Sequence, residues 1–291
     1  MNVSQRLALY RGRINDCYPE LGVTDLRIDE SGQNNDVVVT DGKLVFRFPR
    51  HLAGIDVIEA ETALLLVLNS RRLPLPIPEP VFRSFQPRQV GAPFMGSRLL
   101  PGEPMRAELL EDEDARLKLA GQLATFLRSL HGVPLSVVPT GRAATDWMAG
   151  WLNMYERVRN GLFPLMRLDA REAATHLFED FLGDESNSSI GPVLIHGDFG
   201  GSNLLVEAAS MKVTGIIDWG SAHVDDPAVD IAAASTIAED LVEHFVPFYP
   251  AVGGMLSRVS FYRGTFALQE ALFGVENHEE EALHRGLSRY V

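Results

Sequence analysis

The sequence predicts an α+β fold, with a small strand-rich segment followed by a larger helical one. Three observations carry this expectation. The first hundred residues contain short β-branched and aromatic runs separated by turn residues. After Pro101-Gly102-Glu103-Pro104, apolar residues recur at helical spacing. Between Gly191 and Asp218 that spacing is broken by three short apolar runs, the pattern of a hairpin inserted among helices. At 291 residues the chain has room for one large or two modest domains. The expected division is a segment 1–100 and a helical segment 101–291.

In chain order, Val3, Leu7, Leu9, Tyr10 and Ile14 follow the helical repeat, and Pro19 stops it. Val23 to Asp29 alternates weakly, and Ser31 to Asp36 is a loop by composition. Val37-Val38-Val39 and Leu44 to Phe48 flank Asp41-Gly42, the strongest short-range hairpin signal in the chain. Ile55 to Leu68 is expected to be a helix. Pro74 to Pro80 carries four prolines in seven residues, so it must be an extended connector. Val81 to Phe85 and Phe94 to Leu100 are further strands. In the second segment Leu117, Ala120, Leu123, Ala124, Leu127 and Leu130 form one helical stripe.

Composition narrows the function. Hydrophobic residues make up 46% and charged residues 22%, which is ordinary globular usage and argues against disorder. The net charge of −13 opposes a nucleic-acid or anionic-membrane surface and favours a cationic ligand. The single cysteine, Cys17, excludes an intramolecular disulfide and a cysteine-based metal cluster. No apolar leader follows Met1, and the longest aliphatic run, Ala63 to Leu68, is too short to span a bilayer. The expectation is a cytoplasmic monomer or weak dimer.

The chemistry concentrates in Ile195-His196-Gly197-Asp198-Phe199-Gly200-Gly201-Ser202-Asn203 and, further on, Gly215-Ile216-Ile217-Asp218-Trp219-Gly220. A strand delivers Asp198 into a glycine-rich loop where backbone can approach a ligand closely. Asn203 precedes the next apolar run, and Asp218 ends a third. Two carboxylates and one amide thus gather at strand ends. Such hard oxygen donors suit Mg²⁺ holding phosphates, with one carboxylate left to receive a hydroxyl proton.

His-Gly-Asp-x-x-x-x-Asn followed by Ile-Asp-Trp resembles the catalytic segment of the aminoglycoside phosphotransferase family, with macrolide and choline kinases as relatives. The resemblance is sharp over residues 194–231 and extends in element order over nearly the whole chain. It implies a bilobal protein-kinase-like fold, with a small N-terminal antiparallel-sheet lobe for nucleotide and a helical C-terminal lobe for the acceptor. By position, it makes Asp198 the catalytic base, and Asn203 and Asp218 the Mg²⁺ ligands. His196, Asp226 and Asp230 become structural or substrate-side residues, with Asp230 bracing the loop. Ser31 and Asn34 fall where these enzymes fold a loop over the phosphates, although the Gly-x-Gly-x-x-Gly pattern is absent. Backbone near Arg98 to Leu100 corresponds to the strand that reads the purine, which leaves ATP or GTP equally acceptable.

One position departs from the family. The strand Phe46-Arg47-Phe48 carries arginine where the phosphate-binding lysine usually stands, a feature shared with macrolide kinases. Arginine keeps the charge but is a planar fork instead of a compact point charge. Its implied partner lies on the following helix, where Glu59 and Glu61 cannot share a face. Glu61, followed by a hydrophobic run, fits the family's register better.

The resemblance implies transfer of a nucleotide γ-phosphate to a hydroxyl of a small molecule, with an aminoglycoside as the first expectation. Asp225, Asp226, Glu239, Asp240, Glu243, Glu270, Glu276 and Glu279 to Glu281 would pair with its ammonium groups if they line the acceptor cleft. Trp151, Tyr155, Trp219, Phe245, Phe248, Tyr249, Phe261 and Tyr262 would instead suit a macrolide or another amphipathic alcohol. Amino alcohols and metabolic sugars are further acceptors to weigh. A non-catalytic nucleotide-binding relative is the alternative of another class.

Overall fold

The Asp41-Gly42 turn explains why the first strands pair as they do. In the computed structural model, which describes residues 1–29, 34–139, 147–238 and 240–291, Asp41 has φ 48° and Gly42 φ 64°. Two successive left-handed residues match the twist of an antiparallel pair. The turn therefore closes β2 (Asn35–Thr40) onto β3 (Leu44–Pro49).

By contacts the chain divides into two compact units. The first comprises Met1–Gln122, Ser136–Arg142 and Gly201–Ala222, and the second comprises Leu123–Leu135, Ala143–Gly200 and His223–Val291. This division differs from a cut at residue 100, because residues 101–122 and 201–222 pack with the first segment.

In the first unit, β1 (Leu26–Asp29), β2, β3, β4 (Phe82–Ser84) and β5 (Phe94–Arg98) form an antiparallel sheet in the order β1-β2-β3-β5-β4. Helix α1 (Val3–Cys17) opens with a capping box between Asn2 and Gln5. Its Tyr10 and Ile14 join Phe46, Phe48 and Phe94 of the sheet in one buried cluster. Asp36, at the start of β2, accepts hydrogen bonds from Arg6, Arg50 and the Tyr10 hydroxyl, which ties α1 to the sheet. Helix α2 (Leu52–Ser70) is longer at both ends than its apolar run. The strand expected over Phe94 to Leu100 stops at Arg98, ahead of Pro101. The proline connector joins no ladder, but the Pro76 carbonyl accepts from the Ile216 amide at 2.9 Å. A second sheet, β6 (Glu103–Pro104), β8 (Leu204–Glu207) and β9 (Lys212–Ile216), completes the unit.

Helix α3 (Glu113–His131) carries the chain into the second unit. Its buried stripe includes Leu119 and Phe126, whereas Leu117, early in the helix, is 41% exposed and lies off it. The second unit holds α4 (Trp147–Gly161), α5 (Leu168–Gly183), α6 (Ala228–Ala234), α7 (Leu256–Asn277) and α8 (Glu280–Leu287). Phe181 stacks on Phe261 at 3.6 Å between ring centres, and Trp151 packs edge-on against Phe261. A short antiparallel pair, β7 (Val193–Ile195) with β10 (His223–Asp225), supports the loop that follows β7. Among the described residues, no helix is long and apolar enough to cross a membrane.

Candidate active site

In the first unit, the β8–β9 hairpin sets the positions of Asn203 and Asp218. Leu204 lies opposite Ile216, and beyond that pair the Ile217 amide donates to the Asn203 carbonyl at 2.9 Å. The two predicted metal ligands therefore flank the open end of one hairpin. Asp218 has φ 60°, a left-handed conformation that Asp tolerates better than most residues. The following Trp219 is fully buried, with its indole N–H on the Ile216 carbonyl and its amide on Glu61.

Arg47 joins this corner from β3. One guanidinium nitrogen contacts Glu61 Oε1 and another donates to Asp218 Oδ1 at 2.9 Å. Glu61 is fully buried, whereas Glu59 faces outward and pairs with Arg88. The one-fork, two-carboxylate arrangement depends on a planar donor set that lysine lacks. Burial alone would pull the Arg47 pKa down, but the charges of Glu61 and Asp218 outweigh it and hold the guanidinium above its ordinary value. Arg47 is thus a bridging residue and not a solvent-facing one.

Glu61 has one carboxylate oxygen on Arg47 and the Trp219 amide, while its Oε2 is buried with no hydrogen-bond partner. Removing the cation would leave a buried charge unpaired, which costs roughly 3–5 kcal/mol. Arg47→Ala is expected to lose about that much stability, and Arg47→Lys and Glu61→Gln clearly less. Urea unfolding of the three variants checks this, and equal midpoints would contradict the bridge.

The other predicted residues lie in the second unit. Asp198 is exposed at the end of the β7 loop, and its amide donates to Nδ1 of the fully buried His196 at 3.3 Å. Gly197 between them has φ 79°, which only glycine adopts without strain. Asp230 of α6 accepts the His196 amide at 2.8 Å and the Gly197 amide at 2.9 Å, one on each carboxylate oxygen. Burial pushes the Asp230 carboxyl up, but the His131 hydrogen bond and the nearby His196 hold it below the ordinary carboxylate range. Asp226 does not share this task. It receives Arg258 at 2.7 Å and the Tyr262 hydroxyl at 2.8 Å and caps the Ala228 amide, so it anchors α6 to α7.

The remaining expectations separate. Ser31 and Glu239 lie outside the described residues. Asn34 is exposed, and its carbonyl accepts from the Arg50 amide. Arg98 ends β5 in register with Leu44. The Leu100 side chain lies over Gly215 of β9, where an added Cβ would approach it to 2.8 Å. Of the acidic residues considered for a cationic acceptor, Asp226, Glu270, Glu276 and Glu281 face arginines of their own unit. Trp151, Tyr155, Phe261 and Tyr262 are ring-packed, and Phe245 is buried, while Phe248 stays exposed. His131 and Tyr249 contact Asp230 directly or in series, an arrangement no local motif signals.

The donor set fits a hard dication. Asn203 and Asp218 offer oxygen at one hairpin end. Among the described residues, no group of three or more His, Cys, Asp or Glu forms a closed cage. Two protein oxygens with room for phosphates and water is the usual Mg²⁺ arrangement. When bound, the ion would neutralise charge on the phosphates. An exposed carboxylate such as that of Asp198 can accept a hydroxyl proton.

An antiparallel-sheet unit and a helical unit carry the architecture of the kinase-like phosphotransferases. The chain belongs to the phosphotransferase enzyme family, whose profile matches residues 25–262. It is 28% identical over 263 residues to the viomycin phosphotransferase of Streptomyces vinaceus, covering 89% of this chain and 90% of that protein. The GDP and kanamycin complex of an APH(2″) enzyme superposes with a TM-score of 0.86 at 25% identity, over 96% of each chain. A macrolide 2'-phosphotransferase type I shares the fold with a TM-score of 0.76 at 24% identity, over 100% of this chain and 98% of that one. The protein is a nucleotide-binding phosphotransferase that acts on the hydroxyl of a small molecule.

Proposed function

We propose that the chain moves the γ-phosphate of ATP or GTP to a hydroxyl of an aminoglycoside or a similarly cationic antibiotic. The observation that carries this reading is the loop from His196 to Asn203, which presents an exposed carboxylate five residues before an amide at a hairpin end. Asp198 would orient the acceptor hydroxyl and take its proton. Asn203 and Asp218 would hold Mg²⁺, and Arg47, kept in place by Glu61, would reach the α/β-phosphates. Residues 1–100 would supply most of the nucleotide contacts, with Asn34, Arg98 and Leu100 nearest the ligand. Residues 101–291 would supply the acceptor site. The net charge of −13 favours a polycation at long range, and the viomycin and kanamycin enzymes named above support a cationic acceptor.

On this reading Arg47→Ala also raises the nucleotide KM, since a charge-assisted hydrogen bond is worth about 1.5–3 kcal/mol. The function itself is tested by following radiolabelled phosphate from ATP and GTP, with Mg²⁺, to aminoglycosides, viomycin, macrolides and amino alcohols. Transfer to cationic antibiotics is expected. Exclusive transfer to a macrolide or amino alcohol would replace the acceptor, and nucleotide binding without transfer to any of them would overturn the reading.

A further inference from the structure

Asp230 has a further buried partner, a histidine to which nothing above assigns a role and which shares Oδ2 with the His196 amide. His131 Nε2, at the end of α3, is 3.1 Å from Asp230 Oδ2. Its Nδ1 is 3.2 Å from the Tyr249 hydroxyl. The His131 and Asp230 side chains are 1% and 0% exposed, so this contact is sealed from water. With the ring proton on Nε2, His131 donates to the carboxylate and accepts from the tyrosine, and both contacts are satisfied. The Tyr249 hydroxyl fits the donor role: burial, together with the charges of Asp230 and Asp226, pushes its pKa up and keeps its proton in place.

The series then runs through backbone. Asp230 grips the amides of His196 and Gly197, and the His196 ring accepts the amide of Asp198. Two consecutive amides on one carboxylate set the direction in which the chain leaves β7. The two loop amides, one on each oxygen, orient the carboxylate only while the loop itself is in place, whereas the third contact anchors Oδ2 to the end of α3 independently of the loop. A buried hydrogen bond of this kind matters most where its loss leaves a charge without a donor.

We propose that His131, oriented by Tyr249, is a positioning residue that holds the Asp230 carboxylate in the one orientation that fixes the loop carrying Asp198. This rests on the reading of Asp198 as the proton acceptor, and it assigns His131 no contact with nucleotide or acceptor.

The test compares His131→Gln, which can still present an N–H to Asp230, with His131→Met, which has similar bulk and no donor. Orienting partners of this type typically contribute about 10–100-fold in activity. His131→Met is expected to lower kcat by roughly that factor, with nucleotide KM unchanged. His131→Gln should recover most of the loss, which a packing role would not explain. Independently of turnover, the amides of His196, Gly197 and Asp198 should exchange with deuterium faster in His131→Met and near the parent rate in His131→Gln. Tyr249→Phe removes only a hydroxyl, and serves if His131→Met fails to fold; it should lower kcat and speed the same amides. Equal exchange in parent and variants, or equal kcat for Gln and Met, would overturn the proposal. A parent without transferase activity but with the exchange pattern intact would instead overturn the reading of Asp198.

Discussion

Asp198→Asn is expected to lower kcat by roughly 10²–10⁴-fold, the usual contribution of a positioned general base, while nucleotide binding survives. The amide has the shape of the carboxylate but cannot take a proton from an acceptor hydroxyl. The loop itself should not move, because its contacts to Asp230 run through the amides of His196 and Gly197 and not through the Asp198 carboxylate. Arg47, Asn203 and Asp218, which the proposed function assigns to nucleotide and metal, belong to the other compact unit. Steady-state kinetics with the best acceptor, alongside a direct nucleotide-binding titration, separates the two effects. A variant that keeps most of the parent kcat would remove Asp198 from the chemistry. One that loses nucleotide binding as well would mean the substitution had disturbed the fold.

What could be read from the chain follows the distance over which each interaction acts. The β2–β3 hairpin was legible because its turn chemistry is local: Asp41-Gly42 is one of few pairs that accept two positive φ values. Asn203 and Asp218 were legible for the same reason, since one hairpin places them at its open end, and Asp198 stood out within the glycine-rich segment just before it. Helix geometry showed that Glu59 and Glu61 cannot both face Arg47, the family register favoured Glu61, and Glu61 is the one that meets Arg47. The second partner of Arg47 could not be foreseen. Asp218 is 171 residues away, and only the folded unit decides that one guanidinium spans both carboxylates. His131 and Asp230 are 99 residues apart, and a histidine in the last turn of a helix looks like an ordinary dipole partner. The β7–β10 pair was missed because His223–Asp225 is too short and too polar to show a strand pattern. Leu117 was placed on the wrong face because a leucine one turn before a stripe matches its period without packing beneath it.

On the proposed function, metal binding and a left-handed backbone conformation meet at Asp218, so its substitution must be chosen with both in view. Asp218→Ala removes the carboxylate and also forces a Cβ-bearing residue without a local polar group into φ 60°, which costs about 1–2 kcal/mol. Asp218→Asn keeps a residue that tolerates the left-handed region and removes only the charge. Both variants should need more Mg²⁺ for half-maximal activity. With phosphate repulsion less well neutralised, the loss of transition-state stabilisation is several kcal/mol, or on the order of 10²–10⁴ in kcat/KM. Only Asp218→Ala should also unfold at clearly lower urea concentration. Arg47 loses one of its two carboxylates in either variant but keeps Glu61, so the buried pair stays neutral overall and adds little to that difference. Titrating Mg²⁺ against activity at fixed nucleotide, with urea unfolding in parallel, distinguishes the outcomes. An unchanged Mg²⁺ midpoint in Asp218→Asn would show that the carboxylate serves only to hold Arg47, and the metal site would then have to be sought away from the hairpin end.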